Sequence, residues 1–379
     1  MEFNTICVHG STHSYDNTGS ISVPIFQTAT FAHPGVGQST GYDYSRVQNP
    51  TREYLEETIT RLEQGNGALA FSSGMAAISA VMELFSPGDH FITSDDLYGG
   101  SHRLFHHINA KNGLSFTAVN TSYIEQIKAA IRPETKALFV ETPSNPMMQV
   151  TDLKKTAELA HEHGLLLIVD NTFLTPYLQR PLTLGADIVV HSGTKYLGGH
   201  NDVLAGFAIA KDESIIERLR FVYKNTGACL SPFDSWLLIR GIKTLPLRMD
   251  RQEQSALKIA EWLTKQDKIK QVYYTGLPEH PDYALSKQQA SGFGSMISFE
   301  VDSPETAKRM LTRVNLIHFA ESLGGVETLI TYPMLQTHAE IPAEEREAKG
   351  ITDKLLRLSV GIEDANDLIA DLTYALKVD

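Results

Sequence analysis

The chain has 379 residues, more than one ordinary domain, and its 42% hydrophobic content provides for a large core and argues against disorder. A surplus of 45 acidic over 33 basic residues leaves a net charge of −12, which excludes electrostatic binding to a nucleic-acid backbone; no Lys/Arg run offsets it. Cys7 and Cys229 cannot supply a disulfide framework, no apolar run approaches the ~20 residues of a membrane helix, and the opening MEFNTICVHG has no leader pattern. The expectation is a cytoplasmic protein with neither nucleic-acid nor membrane partners.

Residues 1–49 are rich in Ser, Thr, Gly and His with little periodicity. They read as an extended arm, and its SVPIFQTATF and GYDYSR stretches are too aromatic for full exposure, so it is expected to lie on another subunit. From Pro50, the spacing of Leu55, Ile59 and Leu62 predicts a helix that Gly65 stops. Strand ALAFSSG, helix AAISAVMELF, strand HFITSD, a helix ending near Arg132, strand ALFVETP, helix LKKTAELAHEHG and strands LLLIVDN and ADIVVHS follow. Alternation with continuously apolar strands predicts a mostly parallel sheet covered on both faces. A helical stretch from about Phe233 to Lys265, interrupted near Pro246, leads into a region mixing strand GSMISFEV with helices ETAKRMLTRV and NDLIADLTYALKV. The whole reads as α/β, with an arm (1–49), a large domain (50–235) and a smaller α+β C-terminal domain (236–379).

Ligands of such sheets sit at the carboxyl ends of the strands. There Asp170 closes LLLIVD, and Lys195 follows ADIVVHS within HSGTKYLGG. Singly, the aspartate is a cap and the lysine a surface residue. Together they are what pyridoxal 5′-phosphate needs: an amine to hold its aldehyde and an acid to keep its ring nitrogen protonated. Gly198 and Gly199 permit close backbone approach, and the hydroxyls of Ser192 and Thr194 suit a phosphate. Gly74 and Met75, after Ser72-Ser73, place free N–H groups at a helix start, an anion site if more than an ordinary N-cap. Tyr44 and Arg46 could add phosphate contacts from the arm, and Tyr98 in DDLYGG could stack on the ring or fill the core.

Three other patterns fail their own tests. Ser192-x-x-Lys195 matches the serine acyl-enzyme motif without its S-D-N and K-T-G companions. Gly65-x-Gly67-x-x-Ala70 follows a helix rather than a strand, unlike a dinucleotide fingerprint. His102/His106 and His161/His163 come without H-E-x-x-H, so no metal is expected.

The ordered motifs YDYSRVQNPTR, AFSSGMAAI, DLYGGSHRLF, FVETPSNP, IVDNTFLTPYLQRPLTLGADIVVHSGTKYLGGHND, ESLGGVETLITYP, QTHAEIP and LLRLSVGIED span nearly the whole chain. In them the sequence resembles the Cys/Met-metabolism (trans-sulfuration) family of pyridoxal-phosphate enzymes. The resemblance implies the aspartate-aminotransferase-like fold (fold type I) and a homotetramer of dimers with shared active sites. Carried over by motif, Lys195 holds the cofactor, Asp170 pairs with the ring nitrogen, and Tyr98 stacks and takes part in proton transfer. Gly74, Met75, Ser192 and Thr194 hold the phosphate, joined by Tyr44 and Arg46 from a neighbouring subunit. Arg357 clamps the carboxylate of an amino-acid substrate, and Asn145 and Ser322 assist that clamp or the cofactor ring. Gly100 stands where methionine γ-lyases carry a cysteine, and Glu321 resembles the acid of γ-acting members. The resemblance thus points to γ-replacement on an O-acyl-homoserine by cysteine or sulfide, with cystathionine β- or γ-cleavage, or an inactive binding module, as alternatives.

Overall fold

Strands that are apolar on both faces must be covered twice, and the first half of the chain arranges this with one sheet. A computed structural model of the chain describes residues 1–11, 18–339 and 342–377. Its large sheet comprises β1 (Gly67–Phe71), β2 (His90–Ser94), β3 (Ser115–Val119), β4 (Thr135–Glu141), β5 (Leu166–Asp170), β6 (Ile188–Ser192) and β7 (Gly206–Ala210). They lie in the order β1-β7-β6-β5-β4-β2-β3. The pairs from β6 to β3 are parallel. Alternate side chains feed two cores: Leu138, Val140, Leu167, Val169 and Val189 on one face, Ala137, Phe139, Ile168, Ile188 and Val190 on the other. The mostly parallel α/β sheet expected from the sequence is therefore present.

β7 runs antiparallel to both β1 and β6. This reversal points β1 the same way as β6. The carboxyl ends of β1, β2, β4, β5 and β6 consequently share one edge of the sheet, and this edge carries the site.

A second sheet contains β8 (Ile269–Tyr273), β9 (Met296–Val301), β10 (His318–Phe319), β11 (Leu329–Thr331) and β12 (Leu355–Ser359), ordered β10-β11-β12-β9-β8 and antiparallel except for β10–β11. Its core joins Ile297, Phe299, Leu356 and Leu358 to Ala307 and Met310 of helix Pro304–Arg313 and to Leu368 and Leu372 of helix Ala365–Leu376. The interruption near Pro246 is the break between helices Pro232–Ile242 and Leu245–Leu263. The proline sits in the first turn, where its missing N–H costs nothing.

The arm departs from its extended reading at its start. Phe3–His9 is a helix that buries Cys7, and the Phe3 ring lies 5.3 Å from that of Tyr177. Lys243 Nζ donates to its Val8 carbonyl at 2.7 Å. A helix of 7 residues, about two turns, is too short for periodicity to reveal. The arm from Ser22 onward is largely exposed and is joined to helix Pro50–Glu63 through the Phe26 N–H to Thr51 Oγ1 bond, 2.9 Å.

Candidate functional site

A cavity of about 290 Å3 opens where the carboxyl edge of the large sheet faces the second sheet, lined by Gly74, Met75, Tyr98, Asn145, Asp170, Ser192, Thr194, Lys195, Glu321, Ser322 and Arg357. The cavity thus brings together the residues expected to hold cofactor and substrate, with Gly100, Gly198 and Gly199 outside its lining and Tyr44 and Arg46 apart from it. These two stand on the exposed arm with the guanidinium 5.4 Å from the tyrosine ring centroid, and Arg46 Nη1 donates to the Lys224 carbonyl.

At the β5 end, Asp170 Oδ1 accepts the Thr172 N–H at 3.0 Å and the Thr172 hydroxyl at 2.6 Å. The same hydroxyl accepts the Ser192 N–H at 2.9 Å, tying the ends of β5 and β6 together. Burial raises the Asp170 carboxyl above its ordinary value, opposed by both Thr172 bonds and by His191. A cationic ring nitrogen placed against it would remove that penalty, since an opposite charge stabilises a buried carboxylate.

One strand over, Lys195 Nζ donates to Ser322 Oγ at 2.7 Å. Burial lowers the amine to about 8, with the Arg357 guanidinium adding to the effect and Glu321 opposing it. Ser322 itself has φ +91°, in the region L residues avoid. Its conformation is held by two bonds, its hydroxyl to Lys195 and its carbonyl to Arg357 Nη2 at 3.0 Å.

Arg357 projects from β12, the central strand of the second sheet, and is 1% exposed. Its Nη1 donates to Asn145 Oδ1 at 2.7 Å and its Nη2 also to Thr331 Oγ1 at 3.2 Å. These acceptors are neutral, and its buried Nε has no partner among the described residues. A desolvated guanidinium with an unsatisfied N–H is prepared for a carboxylate.

The start of the helix after β1 offers donors to an anion. Ser73 caps helix Gly74–Met82 by accepting the Ala76 N–H at 3.1 Å, leaving the N–H groups of Gly74 and Met75 without intrahelical acceptors at the positive end of the helix. A Cβ on Gly74 would lie 3.1 Å from Ser192 Cβ, so glycine permits the helix start to approach β6. Donors for an anion, an acid for a ring nitrogen and a desolvated amine thus line one cavity, and this set fits pyridoxal 5′-phosphate. Tyr98 is 39% exposed at the cavity wall. A Cβ at Gly100 would meet its ring at 2.4 Å and Met75 Sδ at 3.0 Å, so a side chain there would displace the tyrosine.

Several residues at the site were not singled out from the sequence. Glu141 ends β4 as Asp170 ends β5, is 6% exposed, and accepts the Tyr98 N–H on Oε2 at 2.8 Å. Its signal, a carboxylate closing an apolar run, was available. His191 lines the cavity and bonds through Nε2 to Glu63 Oε1 at 2.6 Å, a pairing of residues 128 positions apart that no local pattern reveals. Thr337 of QTHAEIP also lines the cavity, whereas Glu340 and Ile341 of that motif lie outside the described residues. His102 and His106 lie with ring centroids 4.3 Å apart and planes tilted by 45°. Among the described residues no group of three or more His, Cys, Asp or Glu side chains could hold a metal, and no helix is long and apolar enough to cross a membrane.

Comparison with known proteins agrees with this geometry. The family model for Cys/Met metabolism PLP-dependent enzymes matches residues 4–377. A cystathionine gamma-lyase of Bacillus subtilis (strain 168) is 51% identical over 377 residues, covering 100% of both chains. A cystathionine gamma-synthase of Haemophilus influenzae is 49% identical over 374 residues, covering 98% of this chain and 97% of that one. Among solved structures, cystathionine gamma-lyase from Lactobacillus plantarum, complexed with L-serine, superposes with a TM-score of 0.96 at 45% identity, covering 99% and 98% of the two chains. The chain belongs to the Cys/Met-metabolism family: it is a trans-sulfuration enzyme of fold type I whose cofactor is pyridoxal 5′-phosphate.

Proposed function

We propose that the enzyme acts at Cγ of its amino-acid substrate, replacing the acyl group of an O-acyl-homoserine with the sulfur of cysteine, or of sulfide. The observation that carries this reading is Glu321, an acid in the same cavity as Lys195 and Arg357. Reaction at Cγ requires protons to move at both Cα and Cβ, and a second acid beside the lysine serves that traffic.

When bound, the cofactor supplies an electron sink conjugated with substrate Cα. Lys195 would hold its aldehyde, Asp170 would pair with its ring nitrogen, and Tyr98 would lie against its ring. The Gly74 and Met75 N–H groups and the Ser192 and Thr194 hydroxyls take its phosphate. Arg357, steadied by Asn145 and Ser322, receives the substrate α-carboxylate and turns Cα toward the lysine. The Nζ of Lys195, in the same cavity as Arg357, would be the group that takes the Cα proton. The low basicity that burial confers keeps a useful fraction of this amine neutral near pH 7. A second proton then leaves Cβ, with Tyr98 and Glu321 placed to share it. The acyl group departs from Cγ with its bonding pair as a carboxylate. The cysteine thiol loses its proton as its sulfur bonds to Cγ, and the protons taken from Cβ and Cα return to those carbons, giving cystathionine.

The same early steps would serve γ-elimination of cystathionine, a reading favoured by the 51% identity to a protein named cystathionine gamma-lyase. Tyr44 and Arg46 would serve the phosphate of a neighbouring copy in a homotetramer of dimers, which accounts for their exposure here. The free thiols Cys7 and Cys229 support a reducing, cytoplasmic setting.

Incubation with O-acetyl- or O-succinyl-homoserine plus cysteine, and separately with cystathionine alone, tests the proposal by product mass. Cystathionine from either ester is expected. Pyruvate with homocysteine from cystathionine, and no product from the esters, would place the chemistry at Cβ and overturn it.

A further inference from the structure

Glu141 takes no part in the steps above, yet its carboxyl lines the same cavity. It and Asp170 are paired in the parallel register of β4 and β5, so their side chains leave one face of adjacent strands about 4.8 Å apart. Two carboxyls so placed in a cavity, Glu141 buried and Asp170 half-buried, do not both ionise readily. Their surroundings decide which one keeps the charge. Asp170 has two donors from Thr172, with the His191 imidazole beside it. Glu141 has the single N–H of Tyr98, and it faces Asp170 and Asp96 as acids and Arg357 as a cation. Burial, and then the charge of Asp170, push the Glu141 carboxyl well above its ordinary value.

We propose that Glu141 is an uncharged positioning residue: it fixes the main chain of Tyr98 at the cavity wall and leaves Asp170 as the carboxylate available to the cofactor ring. The arrangement rests on the cofactor-site reading given above. It predicts that the acceptor oxygen of Glu141 matters and that a negative charge on it does not.

The test uses the full chain as Glu141→Gln and Glu141→Ala variants, each freed of cofactor and titrated with pyridoxal 5′-phosphate without substrate. Affinity is read in the titration, and the pH at which the bound cofactor's visible absorbance changes is read on the loaded protein. Gln keeps a neutral acceptor for the Tyr98 N–H, so affinity within about twofold of wild type and an unchanged absorbance midpoint are expected. Ala strands the N–H and should weaken cofactor binding by roughly tenfold to a hundredfold. A Gln variant as weak as the Ala variant, or with its midpoint displaced to lower pH by loss of a negative charge, overturns the proposal, as does an Ala variant equal to wild type. Should Ala fail to fold, the Gln midpoint still decides the charge. Lys195→Ala, run alongside, should lose the visible band. A retained band there would overturn the cofactor-site reading and this inference with it, a result the glutamate variants alone cannot produce.

Discussion

Replacing Arg357 with alanine tests the substrate clamp most directly. The guanidinium is fully inside the protein, bonded to the neutral acceptors Asn145 Oδ1, Ser322 O and Thr331 Oγ1, with an Nε that lacks a partner among the described residues. A substrate carboxylate therefore meets a cation that is already desolvated and oriented. Two charge-assisted bonds of about 1.5–3 kcal/mol each come to roughly 3–6 kcal/mol. At about 1.4 kcal/mol per decade, KM should rise by roughly two to four orders of magnitude. Because the carboxylate is gripped before any bond at Cα, Cβ or Cγ changes, kcat should fall by less than KM rises. Arg357→Lys keeps the charge but offers no planar fork, and should recover only part of the loss. Steady-state kinetics with cystathionine and with O-acyl-homoserine plus cysteine, on protein checked for cofactor content, give the split. A KM for Arg357→Ala within about threefold of wild type, a difference below ~0.7 kcal/mol, would show that substrate is not anchored there.

The amine of Lys195, lowered to about 8 chiefly by burial, should make cofactor capture by the apoprotein climb about tenfold per pH unit and level off near pH 8. Stopped-flow visible absorbance measures this, and a rate still climbing steeply beyond about pH 10, where an ordinary lysine titrates, would contradict the desolvated site. Asp96, buried and holding the Met147 N–H on Oδ2 at 3.0 Å, is raised from 3.8 to about 6 chiefly by burial. The folded state therefore binds this proton more tightly than the unfolded state, so its contribution is fully present below about pH 4 and is lost as pH rises through about 6. The loss is about 3 kcal/mol. In parallel thermal unfolding, Asp96→Asn should gain on wild type between pH 4 and 7; a constant difference would disprove the linkage.

The sheet edge was legible in the sequence because its strands are apolar on both faces and end abruptly in polar residues. LLIVD and IVVHS placed Asp170 and Lys195 correctly. β3 and β7 escaped notice for different reasons. β3, Ser115–Val119, is at the sheet edge with exposed and half-buried positions, so it lacks a continuous apolar run. β7, GFAIA, is fully buried but only five residues long, and nothing local distinguishes its antiparallel direction. That direction nonetheless matters to the site: an antiparallel β7 lets β1 run the same way as β6, so the helix start after β1 and Lys195 share one edge of the sheet.

What no local pattern supplied is the closure of the site from the second sheet. The Ser192-x-x-Lys195 spacing invites pairing of those two side chains, but the amine turns away and donates to Ser322, 127 residues on. Ser322 adopts its left-handed φ at a cost of about 1–2 kcal/mol. The bonds from Lys195 and Arg357 to one residue offset this cost, and they couple the cofactor lysine to the substrate clamp through a single serine. Arg357 in turn reaches Asn145, on the loop after β4, so one guanidinium ties the central strand of the second sheet to the edge of the first. A change that shifts one sheet against the other must then disturb amine, clamp and serine together. On the roles proposed for Arg357 and Lys195, substrate anchoring and proton transfer would be set by the same contact, and sequence motifs, which treat ESLGG and LLRLSVG as separate signals, carry no trace of it.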